Sequence, residues 1–465
     1  MDPYQAVLAR KERYAPAEGF ATEVNEPWMF PFQNHAVQWA LAGGRRALFE
    51  DTGLGKSRQQ LAFADRVQRH TGGRVLILAP LAVGPQTVAE AESVGLEGVA
   101  FSRSPDTTTA RIVVTNYDNL DKFDAVEVAG VVLDESSILK SFMGSTKLAL
   151  CERFAATPFR LACTATPAPN DILEIGNHSE FLGILSSHQM IARWFINDTT
   201  EMGKYRLKGH AVGPFWDWVA SWALCAGKPS DIGPFDDTRY NLPPLNLHKH
   251  VVETDIVSGA AEGSLFRMGG LSATKIHGEK RLTTTARAAK VAELIAAEPD
   301  EPWLVWCETN YEAEAVMAAV PHAVEVSGSM SSDVKAERLL GFCKGGVLLT
   351  KPKIAGLGMN WQHCARVVFA GGSYSFEAFY QAVRRCWRFG QTRPVDAHVI
   401  LAFTEQALWE VVSGKADAHD SMKLAMFAAS RRAQSRHSAM RDYHPTHVGR
   451  LPSWLVSTHP EPKDI

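Results

Sequence analysis

The stretch RALFEDTGLGKSRQQLAFADRVQRH, residues 46–70, decides how this chain is read. It opens as a short apolar, β-rich run, passes through a glycine-rich turn and continues with apolar residues at helical spacing. A strand, a tight turn and a helix N-terminus in that order make an anion cradle, because backbone N–H groups converge where the helix dipole is positive. Gly53 and Gly55 permit the turn. Lys56 can reach the β- and γ-phosphates of a nucleotide, and the Ser57 hydroxyl can ligate Mg²⁺. The strict phosphate-loop pattern fails at one place, since Glu50 occupies its first glycine position.

Working outward, β-rich runs alternate with helical patterns twice over. The first series is RALFE (46–50), VLILAP (75–80), RIVVTNY (111–117), VVLDE (131–135) and RLACTATP (160–167). The second is WLVWCE (303–308), AVEVSG (323–328), VLLTKP (347–352), ARVVFAGG (365–372) and VDAHVILAF (395–403). Apolar strands separated by helices of this length predict buried parallel sheets. The expected organisation is an N-terminal extension (1–29), a first α/β lobe (30–185), a helical insertion and linker (186–275), a second α/β lobe (276–405), and a C-terminal helix with a basic tail (406–465). The aromatic residues Trp216, Trp218 and Trp222 are expected to pack an accessory helical subdomain in the insertion.

Two further clusters carry chemistry. Asp134 and Glu135 end the run VVLDE, and a carboxylate at the C-terminal end of a parallel strand sits beside the phosphate loop. Asp134 is suited to hold Mg²⁺, and Glu135 to orient and deprotonate a water. The segment QAVRRCWRFGQ (381–391) is expected on a helix, with Arg385 and Arg388 sharing a face and Arg384 pointing elsewhere. Arginine clusters are commonly solvated faces. Here the cluster belongs to a second lobe without a phosphate loop of its own, so delivery of guanidinium groups across a cleft explains it.

Composition sets the bounds. The 465 residues allow about two to four domains. A hydrophobic content of 46% supports large cores, and a net charge of −3 is silent on nucleic acid, because local patches govern binding. Seven scattered cysteines without a CxxC pair suggest neither zinc nor a disulfide framework. With no secretory signal in MDPYQAVLARKERY and no apolar run of about 20 residues, a soluble cytoplasmic protein without membrane contact is expected.

At these residues the chain resembles superfamily 2 helicases, and most closely the Swi/Snf-type DNA translocases, over residues 30–405. FQNHAVQWAL (32–41) is similar to the adenine-reading glutamine motif, which assigns Gln33 to the base. EDTGLGKS resembles motif I, LAPLAVGPQTVAE (78–90) motif Ia, VTNYDNL (114–120) motif Ib, VVLDESSILKS motif II and TATPAPND (164–171) motif III. NLPPLNLHKHVV (241–252) resembles the entry to the second lobe, TKPKIAGLGMNW (350–361) motif V and QAVRRCWRFGQ motif VI. The resemblance implies two RecA-like lobes in tandem, with ATP and Mg²⁺ between them. It assigns Thr52, Gly53, Leu54, Gly55, Lys56, Ser57, Gly358 and Asn360 to the nucleotide, Ser57 and Asp134 to the metal, and Lys56, Asp134, Glu135, Arg385 and Arg388 to catalysis. Motif II departs from the family, since Ser137 replaces its histidine. Motif III has Ala165 where glycine is frequent. The compact form is similar to that found in phages and prophages, which would place the protein in a bacterial host cell beside replication or recombination proteins.

The implied partner is double-stranded DNA, forked or branched DNA included. Thr115, Thr166, Thr350 and Lys351 fall in motif loops expected to meet phosphates. Arg431, Arg432, Arg436 and Arg441 could add electrostatic affinity or only solubility. His444 and His447 lack further ligands for a metal. Three readings stand: a translocase on duplex DNA, a strand-separating or branch-remodelling helicase, and a non-hydrolysing nucleotide-dependent clamp.

Overall fold

The computed structural model describes residues 17–80, 83–123, 127–197, 205–252, 273–355, 359–372 and 375–439. Six strands of the first lobe follow the chain: β1 (Arg45–Glu50), β2 (Val75–Ala79), β3 (Val99–Phe101), β4 (Ile112–Asn116), β5 (Gly130–Asp134) and β6 (Phe159–Cys163). The run VLILA in β2 is buried on both faces, as a central parallel strand must be. Its side chains divide by the two-residue period. Leu76 and Leu78 enter one core, whereas Val75, Ile77 and Ala79 enter the other.

Residues 186–275 differ from the expected separate insertion. Phe195–Asn197 (β7) and Tyr205–Leu207 (β8) form a small antiparallel ribbon. Ala223–Ala226 (β9) then pairs in parallel with β1, giving a seven-stranded first sheet in the order β3-β4-β2-β5-β6-β1-β9. Trp216, Trp218 and Trp222 are buried in the same core as Phe49 and Leu76. They therefore belong to the first lobe itself, because the helix carrying Trp216 and Trp218 (Val212–Ala220) leads through Trp222 straight into β9.

Leu245–Val252 (β10) opens the second sheet. Trp303–Trp306 (β11), Val324–Glu325 (β12), Val347–Thr350 (β13), Arg366–Phe369 (β14) and Val395–Ala402 (β15) complete it in the order β10-β15-β14-β11-β13-β12, all parallel. Two cores flank this sheet as well. The predicted architecture of two parallel-sheet α/β lobes in tandem is the observed one.

The C-terminal helix Gln406–Ala439 touches both lobes. Trp409 and Val412 are buried in a second-lobe core, while Met422, Met426 and Ala429 enter a first-lobe core. Its Ser430 hydroxyl accepts the Cys225 backbone N–H at 2.9 Å, which satisfies a donor on the edge strand β9. No helix among the described residues is long and apolar enough to cross a membrane. Arg441, His444 and His447 lie outside the described residues, as does the side chain of Arg436.

Candidate nucleotide site between the two lobes

Strands β5, β6 and β1 are neighbours in the first sheet, so the segments leaving their C-terminal ends converge. The loop after β1 is shaped by two left-handed glycines, Gly53 (φ 95°) and Gly55 (φ 82°). Close approach adds to the requirement for glycine. A Cβ on Gly55 would lie 2.1 Å from Gln33 Nε2, and one on Gly53 would lie 3.0 Å from the Cβ of Phe389 in the second lobe. Gly55 caps the helix Lys56–Thr71, whose first N–H groups therefore face the cavity. Lys56 Nζ donates to the carbonyls of Glu50 (2.7 Å) and Asp51 (3.1 Å), which holds the ammonium over the loop.

The carboxylates follow from β5. Asp134 ends the strand and accepts a 2.7 Å hydrogen bond from Gln60 Nε2. Glu135 is the one described non-glycine residue with positive φ, at 56°, a conformation that an L side chain adopts at a cost and that recurs at functional sites. Its carboxylate accepts from the Thr164 hydroxyl (2.6 Å) and the Ser137 hydroxyl (3.1 Å). Burial raises both carboxyls above their ordinary range, against the Gln60 hydrogen bond for Asp134 and the Thr164 hydrogen bond for Glu135. Ser137 thus has a specific contact with Glu135, and the turn after β6 reaches the same carboxylate directly through Thr164.

The arginines arrive differently from the sequence expectation. Their helix runs only from Phe376 to Val383, so Arg384, Arg385 and Arg388 lie in the turns that follow. Arg385 and Arg388 still converge, because each donates to the Met359 carbonyl, at 3.3 and 3.2 Å. Among the described residues neither is within ion-pair distance of a carboxylate. Burial pulls both guanidinium groups down to about 10, with the charge of Arg388 adding for Arg385 and that of Arg384 adding for Arg388. A buried Arg385 and a half-buried Arg388, with no ion pair to either among the described residues, form a site suited to an anion.

A cavity of about 490 Å³ joins these parts. It is lined by Gln33, Thr52, Gly53, Gly55, Lys56, Ser57, Asp134 and Glu135 from the first lobe, and by Asn360, Arg385 and Arg388 from the second. Leu54 is placed otherwise: its side chain is buried in the core, and its carbonyl accepts from Gln33 Nε2 at 2.7 Å. Gln33 Oε1 also accepts the Phe30 N–H at 2.9 Å, so the side chain predicted for base contact is locked by its own lobe. Gly358 lies outside the described residues.

Several lining residues were not foreseen. Phe30, Tyr240 and Phe389 form an aromatic wall, with the Tyr240 and Phe389 ring centroids 4.9 Å apart. Only their aromatic character signalled them. Thr115, Thr166 and Thr350 contradict the expectation of phosphate contact, since all three are buried. Thr115 lies within β4 and Thr350 within β13, and the Thr350 hydroxyl donates to the Val326 carbonyl at 3.1 Å. Lys351 remains half-buried and is hydrogen-bonded to Asn310.

Residues 286–390 match the family model of the helicase conserved C-terminal domain. Within the second lobe, this segment is similar to a helicase C-terminal domain. The matched stretch ends at the arginine segment, and the match agrees with the sequence resemblance to superfamily 2 helicases. Among solved structures, the whole chain is similar to the Sulfolobus solfataricus SWI2/SNF2 ATPase core in complex with dsDNA, at 15% identity and a TM-score of 0.41, over 90% of this chain and 96% of that one. The comparison with curated proteins finds no match.

Proposed function

We propose that the protein is a Swi/Snf-like DNA-stimulated ATPase that hydrolyses ATP between its lobes and moves along double-stranded DNA. The observation that carries this reading is the shared cavity, in which Lys56, Asp134 and Glu135 of one lobe face Arg385 and Arg388 of the other. Lys56 and the loop N–H groups bind the phosphates. The arginines neutralise charge developing on the transferred phosphoryl group. Glu135, held by Thr164 and Ser137 and raised by burial, orients the water and accepts its proton.

The Ser57 hydroxyl and the Asp134 carboxylate line the same cavity and form an oxygen donor set that fits Mg²⁺, which takes few protein ligands and completes its shell with phosphates and water. The ion, when bound, would supply positive charge against that of the phosphates. Because hydrolysis involves groups from both lobes, the nucleotide state biases their separation, which is the element a motor needs. A compact role in phage or host DNA replication or recombination fits this reading.

Triplex displacement measured beside fork unwinding tests the proposal. ATP-dependent displacement without unwinding supports a duplex translocase, and unwinding supports the strand-separating alternative. Lys56→Ala is expected to abolish turnover, while Glu135→Gln is expected to bind ATP and hold it unhydrolysed. A chain that binds nucleotide yet never turns it over, with DNA or without, would leave the clamp reading.

A further inference from the structure

We propose that Asp51 is the centre of an inter-lobe clasp, and that Lys423 on the C-terminal helix is a positioning residue for the arginine segment through it. Asp51 sits in the phosphate loop, where a carboxylate is out of place beside a polyanion unless cations hold it. Two do so. Arg384 of the second lobe lies 2.6 Å from Asp51 Oδ1, and Lys423 Nζ lies 2.9 Å from Oδ2. Tyr380 donates its hydroxyl to Oδ1 at 2.5 Å and accepts from Lys423 at 2.9 Å. Arg384 also donates to the Thr52 hydroxyl.

The clasp is nearly dry. Side-chain exposure is 14% for Asp51, 4% for Arg384 and 11% for Lys423. Burial opposes the charge on Asp51, but Arg384 and then Lys423 outweigh it and hold its carboxyl far below the usual range. Each end of the helix Phe376–Val383 is therefore tied to the first lobe, since Glu377 also pairs with Lys140 at 2.5 Å. Arg384 directly precedes Arg385, so fixing the one places the other. Every partner is a protein group. The clasp accordingly requires no phosphate, and it sets the lobe separation in advance of nucleotide.

One carboxylate against two cations leaves the cluster positive, with Asp420 near enough to be felt but not within ion-pair distance. Lys423→Met removes the surplus charge while keeping the buried stem, and leaves Asp51 and Arg384 as a balanced pair. Tyr380→Phe removes only the hydroxyl. Both are compatible with folding, whereas Asp51→Asn strands two buried cations and is the more drastic change.

Small-angle scattering of the full chain, without nucleotide, reads the outcome. Wild type is expected to be compact. Lys423→Met and Tyr380→Phe are expected to increase the maximum dimension and to raise the KM for ATP several-fold, with kcat at saturation within about twofold of wild type. Folded variants that scatter as wild type does would overturn the clasp, whatever their turnover. The positioning role rests on the ATPase reading, but the scattering does not. Lobes that open in the variants of a chain without ATPase activity would retain the clasp and remove the function.

Discussion

The Thr164 hydroxyl donates a 2.6 Å hydrogen bond to the carboxylate of Glu135. The same oxygen of Thr164 accepts the Thr166 N–H at 3.0 Å, so the turn after β6 and the proposed base share one hydrogen-bond chain. Removing the hydroxyl deprives the ionised carboxylate of a donor and raises a carboxyl that burial already raises. Thr164→Val should move the acid limb of the kcat–pH profile to higher pH and lower kcat at neutral pH. Measuring kcat from pH 5 to 9 checks this. An unshifted limb would separate motif III from the base.

The arginines should act on the chemical step. Arg388→Ala is expected to lower kcat on the order of a thousandfold, and Arg385→Ala to behave similarly, because both guanidinium groups gather on the Met359 carbonyl. Steady-state kinetics with a nucleotide-binding isotherm separates the roles. A rise in KM alone would make them binding residues.

Glu50 titrates against stability. Burial lifts its carboxyl to about 7, opposed by Lys56 and by the Gln59 hydrogen bond. A folded-state value above the unfolded 4.5 means that the native state holds the proton longer. Its contribution is then fully present below 4.5 and is lost as pH rises through about 7. At about 1.4 kcal/mol per pH unit the loss is on the order of 3 kcal/mol. Glu50→Gln should therefore stabilise the first lobe at pH 8 and do little at pH 4.5, measured by urea midpoints. A gap independent of pH would contradict a buried, proton-holding Glu50.

Gly53→Ala should disturb both the loop and the lobe contact. The residue sits at φ 95°, and the added Cβ would meet Phe389 at 3.0 Å. Strain of roughly 1–3 kcal/mol at this position should lower stability and weaken ATP binding together. Thermal melts and equilibrium nucleotide titrations test the pair. An effect on neither would mean that the loop yields without consequence.

Much of this was legible because it is written locally. The ten apolar runs read as strands overlap ten observed strands, since a run buried on both faces has little alternative to a parallel sheet. Lys56, Asp134 and Glu135 were legible because loop, strand end and residue type coincide. What escaped depends on distant pairing. β3 is three residues of half-buried chain. β9 earns its place only through β1, and its short ALCA run has no periodicity to announce it. Helical spacing points Arg384 away from the site, whereas the helix ends at Val383 and the following turn brings it to Asp51. The signal available for its role was Asp51, an acid in an anion-binding loop that needs cations from elsewhere.

The pairing of β9 with β1 bears on how the protein is made. As the chain leaves the ribosome, the strand presenting the phosphate loop meets β6 first, and its other flank stays unmet until β9 follows the ribbon and the tryptophan helix. A fragment ending at residue 185 would carry every first-lobe motif yet expose a raw sheet margin, an invitation to self-association. The smallest autonomous form of the first lobe accordingly extends at least to Ala226.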